Sequence, residues 1–136
     1  MKELRIDAKV DNLDNVLAFL DDILEEAECP LKEQMQLDIA VEEIFVNIAN
    51  YAYVPKKGDA LIRVENLDAP KGVSITFIDS GIPYDPLKKE DPDITLGVEE
   101  RQIGGLGIFM VKKSMDEVFY EHKEGKNHFT MKKYFE

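Results

Sequence analysis

Glu43 and Asn47 stand four residues apart in the run Val41–Tyr53, VEEIFVNIANYAY. On a helix, residues i and i+4 project into the same space. A carboxylate there can accept a proton or orient a water or hydroxyl. A neutral amide oxygen can enter the inner shell of Mg²⁺, a hard ion that shares its shell with phosphates and water. Taken alone, E-x-x-x-N specifies little. A second residue of interest, Asp79, ends the apolar run GVSITFID, with Gly81 two positions later. Such an aspartate serves as an ordinary turn residue; at a pocket it would accept a hydrogen bond from an exocyclic amine, as when adenine is read. The third stretch is IGGLGIFMVKK. Its Gly104, Gly105 and Gly107 let backbone approach an anion, and the helix that follows would aim N–H groups at it. A flexible hinge at a helix start is the alternative. The stretch lacks the G-x-x-x-x-G-K-[ST] of a P-loop, and no strand precedes it as in a dinucleotide fingerprint.

The elements that must hold these residues follow from periodicity. Pro30 opens a helix expected from Leu31 to Tyr53, ending before Pro55. At about 100° per residue, Leu37, Val41, Ile44, Ile48 and Ala52 make its core stripe. Glu43, Asn47 and Asn50 fall on the opposite side, between Ile39 and Val46 on one shoulder and Ala40 and Tyr51 on the other. No Lys or Arg occurs from Leu37 to Val54. The strip is either a solvated face or the few polar groups of an otherwise apolar cavity wall. Before it, LRIDAKV alternates Leu4, Ile6, Ala8 and Val10 as a strand, and Asn12 stands as a cap for a helix carrying Leu13, Val16, Leu17, Leu20, Ile23 and Leu24. After it, ALIRVEN and GVSITFID are strands in antiparallel pairing. An irregular stretch from Ser80 to Gly105 is too long for an ordinary connection. The helix LGIFMVKKSM and the strands EVFYEH and NHFTMKKYF, joined through KEGK, complete the chain. The order β-α-α-β-β-loop-α-β-β predicts an α+β two-layer α/β sandwich, helices on one face of a mostly antiparallel sheet.

At 136 residues the chain suits one domain with one core. A net charge of −11 opposes phosphate backbones and anionic lipid. Nucleic acid and membrane surfaces are therefore poor partners, whereas a basic protein or a metal-complexed anion in a local pocket is compatible. No apolar run is long enough to cross a bilayer, and the first residues show no secretory signal. The single Cys29 excludes an internal disulfide and fits a cytoplasmic location.

Three segments in this order resemble the GHKL (histidine kinase-like) superfamily of ATP-binding domains. EEIFVN is similar to its N box, DSGIPYDP to its G1 box and GGLGI to its G2 box. The form D-x-G-x-P-[FY]-D-P and the run ERQIGGLGIFMVKKSMDEVFYEH resemble the anti-sigma regulatory factor serine/threonine kinases of bacteria. The resemblance implies a Bergerat-type fold with a mostly antiparallel mixed sheet, binding ATP and Mg²⁺. It implies that Glu43 is the general base, that Asn47 coordinates Mg²⁺, and that Asn50 supports the phosphate or metal side. It further implies that Asp79 binds the adenine amine, that Gly81, Gly105 and Gly107 shape the pocket and its lid, that Arg101 lies near the γ-phosphate, and that Thr130 lies beside the adenine pocket. The implied activity is phosphorylation of a serine on a small STAS-type anti-anti-sigma antagonist, with sequestration of a sigma factor and a possible homodimer. Pro83 stands where the family has a second G1 glycine, Tyr51 where a histidine is often found, and Asn127 where many relatives have Gly-Thr. The alternative is a non-catalytic nucleotide-binding switch, which would not need Glu43. A lid from Pro86 to Gly104 is expected to close over the phosphates.

Overall fold

The computed structural model describes residues 1–53, 57–88 and 105–135. Strands β1 (Lys2–Asp7), β2 (Asp59–Asp68), β3 (Lys71–Asp79), β4 (Glu117–Lys123) and β5 (Lys126–Tyr134) form one sheet in the order β1-β2-β3-β5-β4. Every pairing is antiparallel, so the sheet expected to be mostly antiparallel has no parallel pair among the described residues. Period-two alternation puts Ala60, Ile62 and Val64 of β2 on one face. The register sets Ile62 beside Phe77 and Phe77 beside Phe129, then Val64 beside Ile75 and Ile75 beside Met131. The β4–β5 turn has Glu124 at φ 55° and Gly125 at φ 75°. Two successive positive φ values match the twist of a tight hairpin.

Helices α1 (Leu13–Glu26), α2 (Leu31–Asn47) and α3 (Gly105–Ser114) cover that apolar face. α2 packs between α1 and α3. Val16, Leu20 and Leu24 of α1, with Leu37, Val41 and Phe45 of α2, are almost wholly buried against the sheet. Removing that apolar surface from water is the main force holding the two layers together.

Three local features depart from the sequence expectation. Val10 leaves the first strand, which ends at Asp7; it enters a 3₁₀ turn at Val10–Asn12 and is exposed. Asn12 stands at the start of α1 but does not cap it, since its Nδ2 donates to the Asp7 carbonyl at 2.9 Å instead. The second helix is α-helical only to Asn47 and then makes a π turn at Ile48–Ala52. After β3 a 3₁₀ turn spans Pro86–Lys88. Residues 89–104, with Arg101, Gly104 and most of the expected lid, lie outside the described residues. No helix among the described residues is long and apolar enough to cross a membrane.

Candidate functional site

The inward-facing row of β3 runs Val73, Ile75, Phe77 and then Asp79; that of β5 runs Met131, Phe129 and then Asn127. Asp79 and Asn127 are directly opposite in the register, and each is 6% exposed. The apolar face of the sheet therefore ends in a buried polar pair, which must be hydrogen-bonded to be tolerated. Asn127 donates through Nδ2 to Asp79 Oδ1 and to the Ile82 carbonyl, both at 2.9 Å. Its Oδ1 accepts from the Tyr84 N–H at 3.3 Å and from the Tyr120 hydroxyl. The Gly81 N–H adds a second bond to Asp79 Oδ1 at 2.9 Å. Asp79 Oδ2 receives no hydrogen bond from the described residues.

Asp79 and Asn127 lie at one end of a cavity of about 420 Å³ between the sheet end, α2, the π turn and α3. Its walls are mainly apolar, with Ile44, Ile48, Ile108 and Phe129 among them, and Asn47 projects into it from α2. Few polar groups in an apolar wall is the make-up of a small-molecule site. Asn47 Nδ2 donates to Glu43 Oε1 at 3.1 Å, which leaves the Asn47 Oδ1 for a ligand. A Cβ placed on Gly107 would lie 1.9 Å from Glu43 Oε1 and 2.0 Å from its Cδ. Only glycine lets the first turn of α3 lie so close to that carboxylate, at the electropositive end of the helix. A Cβ on Gly81 would lie 2.3 Å from the Ala52 carbonyl oxygen, which accepts a bond from the Ile82 N–H at 3.0 Å. The π turn and the strand-end loop are thus pressed together. Tyr53 ties the same junction, donating to the Asp59 carbonyl at 2.6 Å and accepting from the Ser80 N–H at 2.8 Å. Burial raises the pKa of the Tyr53 and Tyr120 hydroxyls, so both remain protonated donors near neutrality.

The structure brings Asn47 and Asp79 into the lining of this cavity, with Glu43 hydrogen-bonded to Asn47, Gly107 against Glu43, Gly81 against the lining residue Ala52, and Gly105 at the start of α3. It does not bring Asn50, which is exposed and outside the lining. The sequence projection assumed α-helical spacing, and the extra residue of a π turn rotates Asn50 off that line. Thr130 has the opposite parity to Asn127 and Phe129, so it faces the other side of the sheet, where its hydroxyl pairs with the Thr76 hydroxyl at 3.0 Å. Ile39, the expected cavity shoulder, is 60% exposed; the cavity opens on the Ile44–Ile48–Tyr51 side instead. Asn127, Tyr120 and Tyr84 were missed as site residues. Parity carried a signal for two of them: Tyr120 shares the inward face with Val118, and Asn127 with Phe129 and Met131.

Among the described residues no group of three or more His, Cys, Asp and Glu side chains could hold a metal. A lone amide oxygen at Asn47 fits Mg²⁺, whose other ligands are commonly phosphate and water.

The family described as the histidine kinase-like ATPase domain matches residues 6–133. The chain is 27% identical over 95 residues to the serine/threonine-protein kinase BtrW of Bordetella bronchiseptica, covering 70% of this chain and 66% of that one. It is 31% identical over 93 residues to the serine-protein kinase RsbW of Listeria monocytogenes, covering 65% and 59%. It is 26% identical over 130 residues to the RsbW of Bacillus mycoides, covering 90% and 78%. The match thus spans just under two thirds of the first relative and less of the second.

Proposed function

The chain belongs to the histidine kinase-like ATPase domain family, and from that premise we propose that it is an ATP-dependent protein serine kinase of the anti-sigma type. The observation that carries this reading is the polarity of one cavity: a carboxylate oxygen without a donor among the described residues at the sheet end, and an amide paired with a carboxylate on α2. Asp79 would accept the exocyclic amine of adenine, and the apolar walls would hold the base. Asn47 would present its Oδ1 to Mg²⁺ beside the phosphates. Bound Mg²⁺ would offset phosphate charge during transfer. Glu43 would take the proton of the attacking serine hydroxyl. Phosphoryl transfer depends on positioning and charge stabilisation; these side chains would supply the positioning and the ion held by Asn47 the charge.

The names of the relatives support a serine of a protein as acceptor. The resemblance to anti-sigma kinases supports a STAS-type antagonist as that protein and a sigma factor as a second partner. The test is transfer of labelled phosphate from ATP to the protein that copurifies with the chain. Wild type should label a serine on it. Glu43→Gln keeps the shape but loses the basicity, and should slow transfer by about 10²–10⁴-fold, with ATP affinity little changed. Equal transfer by wild type and E43Q would remove Glu43 as base. Nucleotide binding without transfer by wild type would favour a non-catalytic switch.

A further inference from the structure

We propose that Asn127 is a positioning residue for Asp79: it fixes that carboxylate with Oδ1 inward and Oδ2 toward the cavity, and so sets the preference for a purine with a 6-amino group. The proposal rests on the nucleotide reading above and adds a residue to it.

Asn127 has two donor hydrogens and two acceptor positions on its amide, and all four are used. Nδ2 reaches Asp79 Oδ1 and the Ile82 carbonyl; Oδ1 receives the Tyr84 N–H and the Tyr120 hydroxyl. The amide cannot turn over without losing every one of these bonds. Asp79 is therefore gripped by a group that is itself gripped from β4, from β3 and from the loop after β3. With the Gly81 N–H also on Oδ1, rotation of the carboxylate would break two bonds at once. Oδ2 is the oxygen left over, in a residue that lines the cavity. A fixed acceptor there matches the amine of adenine. A 6-oxo purine would set oxygen against oxygen, and a purine with no 6-substituent would leave Oδ2 without a donor. Leaving a buried polar group unpaired is what makes such sites selective.

A cycle that removes the ligand amine in one arm and Asn127 in the other tests this role. ATP and purine riboside triphosphate, each with Mg²⁺, are titrated calorimetrically into wild type, Asn127→Ala and Asn127→Asp. Wild type should prefer ATP by about tenfold or more, the worth of one hydrogen bond to a charged acceptor. Both variants should reduce that preference to less than about threefold, while affinity for the purine analogue changes much less than affinity for ATP. Such non-additivity marks two groups acting through one contact. A purely structural role would weaken both ligands by the same factor, and that result overturns the proposal, as does a preserved preference in the folded variants. Unfolding of both variants, read by circular dichroism, would make Asn127 a stability residue and would also overturn it. Failure of wild type to bind either ligand would instead sink the nucleotide reading on which the proposal stands.

Discussion

Glu43 is confined by two neighbours of different kinds. Asn47 holds Oε1 by a hydrogen bond, and Gly107 offers backbone without a side chain. Gly107→Ala would place a methyl group 1.9 Å from the present Oε1 position, so the carboxylate must move. Misplacement of a reacting group by an ångström can cost on the order of 10²-fold. We expect G107A to lower phosphoryl transfer by about tenfold to a hundredfold while ATP affinity falls far less, as measured by single-turnover labelling and calorimetry. Unchanged transfer would mean that the contact with Glu43 does not matter to the reaction. At this scale the sequence was informative where chemistry depends on residue type and short spacing. Glu43, Asn47 and Asp79 could be picked out from i, i+4 geometry and from a strand end. Parity placed Asn127 on the inward face but not its role, which lies in four partners that the β3–β5 and β4–β5 pairings and the loop after β3 bring together.

Among the elements, the α1–α2 contact carries a charge that the core does not suit. Asp38 of α2 has a pKa raised to about 7, chiefly by burial and also by a hydrogen bond with, and the charge of, Asp21 on α1. Gln34 Nε2 donates to Asp21 Oδ1 at 3.2 Å, but the Oδ1 atom of Asp38 is buried with no hydrogen-bond partner among the described residues. In the unfolded chain an aspartate titrates near about 4. Between those values the folded state binds more protons, so this pair stabilises less as pH rises, and its cost is complete above the folded pKa. Asp38→Asn removes the ionisation. It should raise the melting temperature at pH 8, change it little near pH 4, and flatten the decline between them. Scanning calorimetry across that range checks the sign; an unchanged slope with pH would show that Asp38 does not titrate in the folded state as described. Element types were legible because period-two and helical patterns are local properties of the chain. The π turn at Ile48–Ala52 was not, since no residue in IANYA demands it. The contacts that accompany it, Ala52 against Gly81 and Ile82, join segments about thirty residues apart in sequence.

For the whole molecule, one apolar sheet face covered by three helices leaves its chemistry at the end of the sheet, where the inward row changes from Phe77 and Phe129 to Asp79 and Asn127. The net charge of −11 makes the general field hostile to a polyphosphate. On the proposed reading, binding would come from local groups: Asp79 for the base, Asn47 with Mg²⁺ and the α3 N-terminus for the phosphates. The sandwich could be read from element order, but the depth of the cavity could not, because it depends on how α3 closes over α2. The most direct measurement is a calorimetric titration of ATP, with and without Mg²⁺, into wild type and Asp79→Ala. Wild type should bind ATP at one site per chain, more tightly with Mg²⁺, and D79A should bind at least about tenfold more weakly in both conditions. No binding by wild type, or equal binding by a folded D79A, would contradict the assignment of this cavity as the nucleotide site.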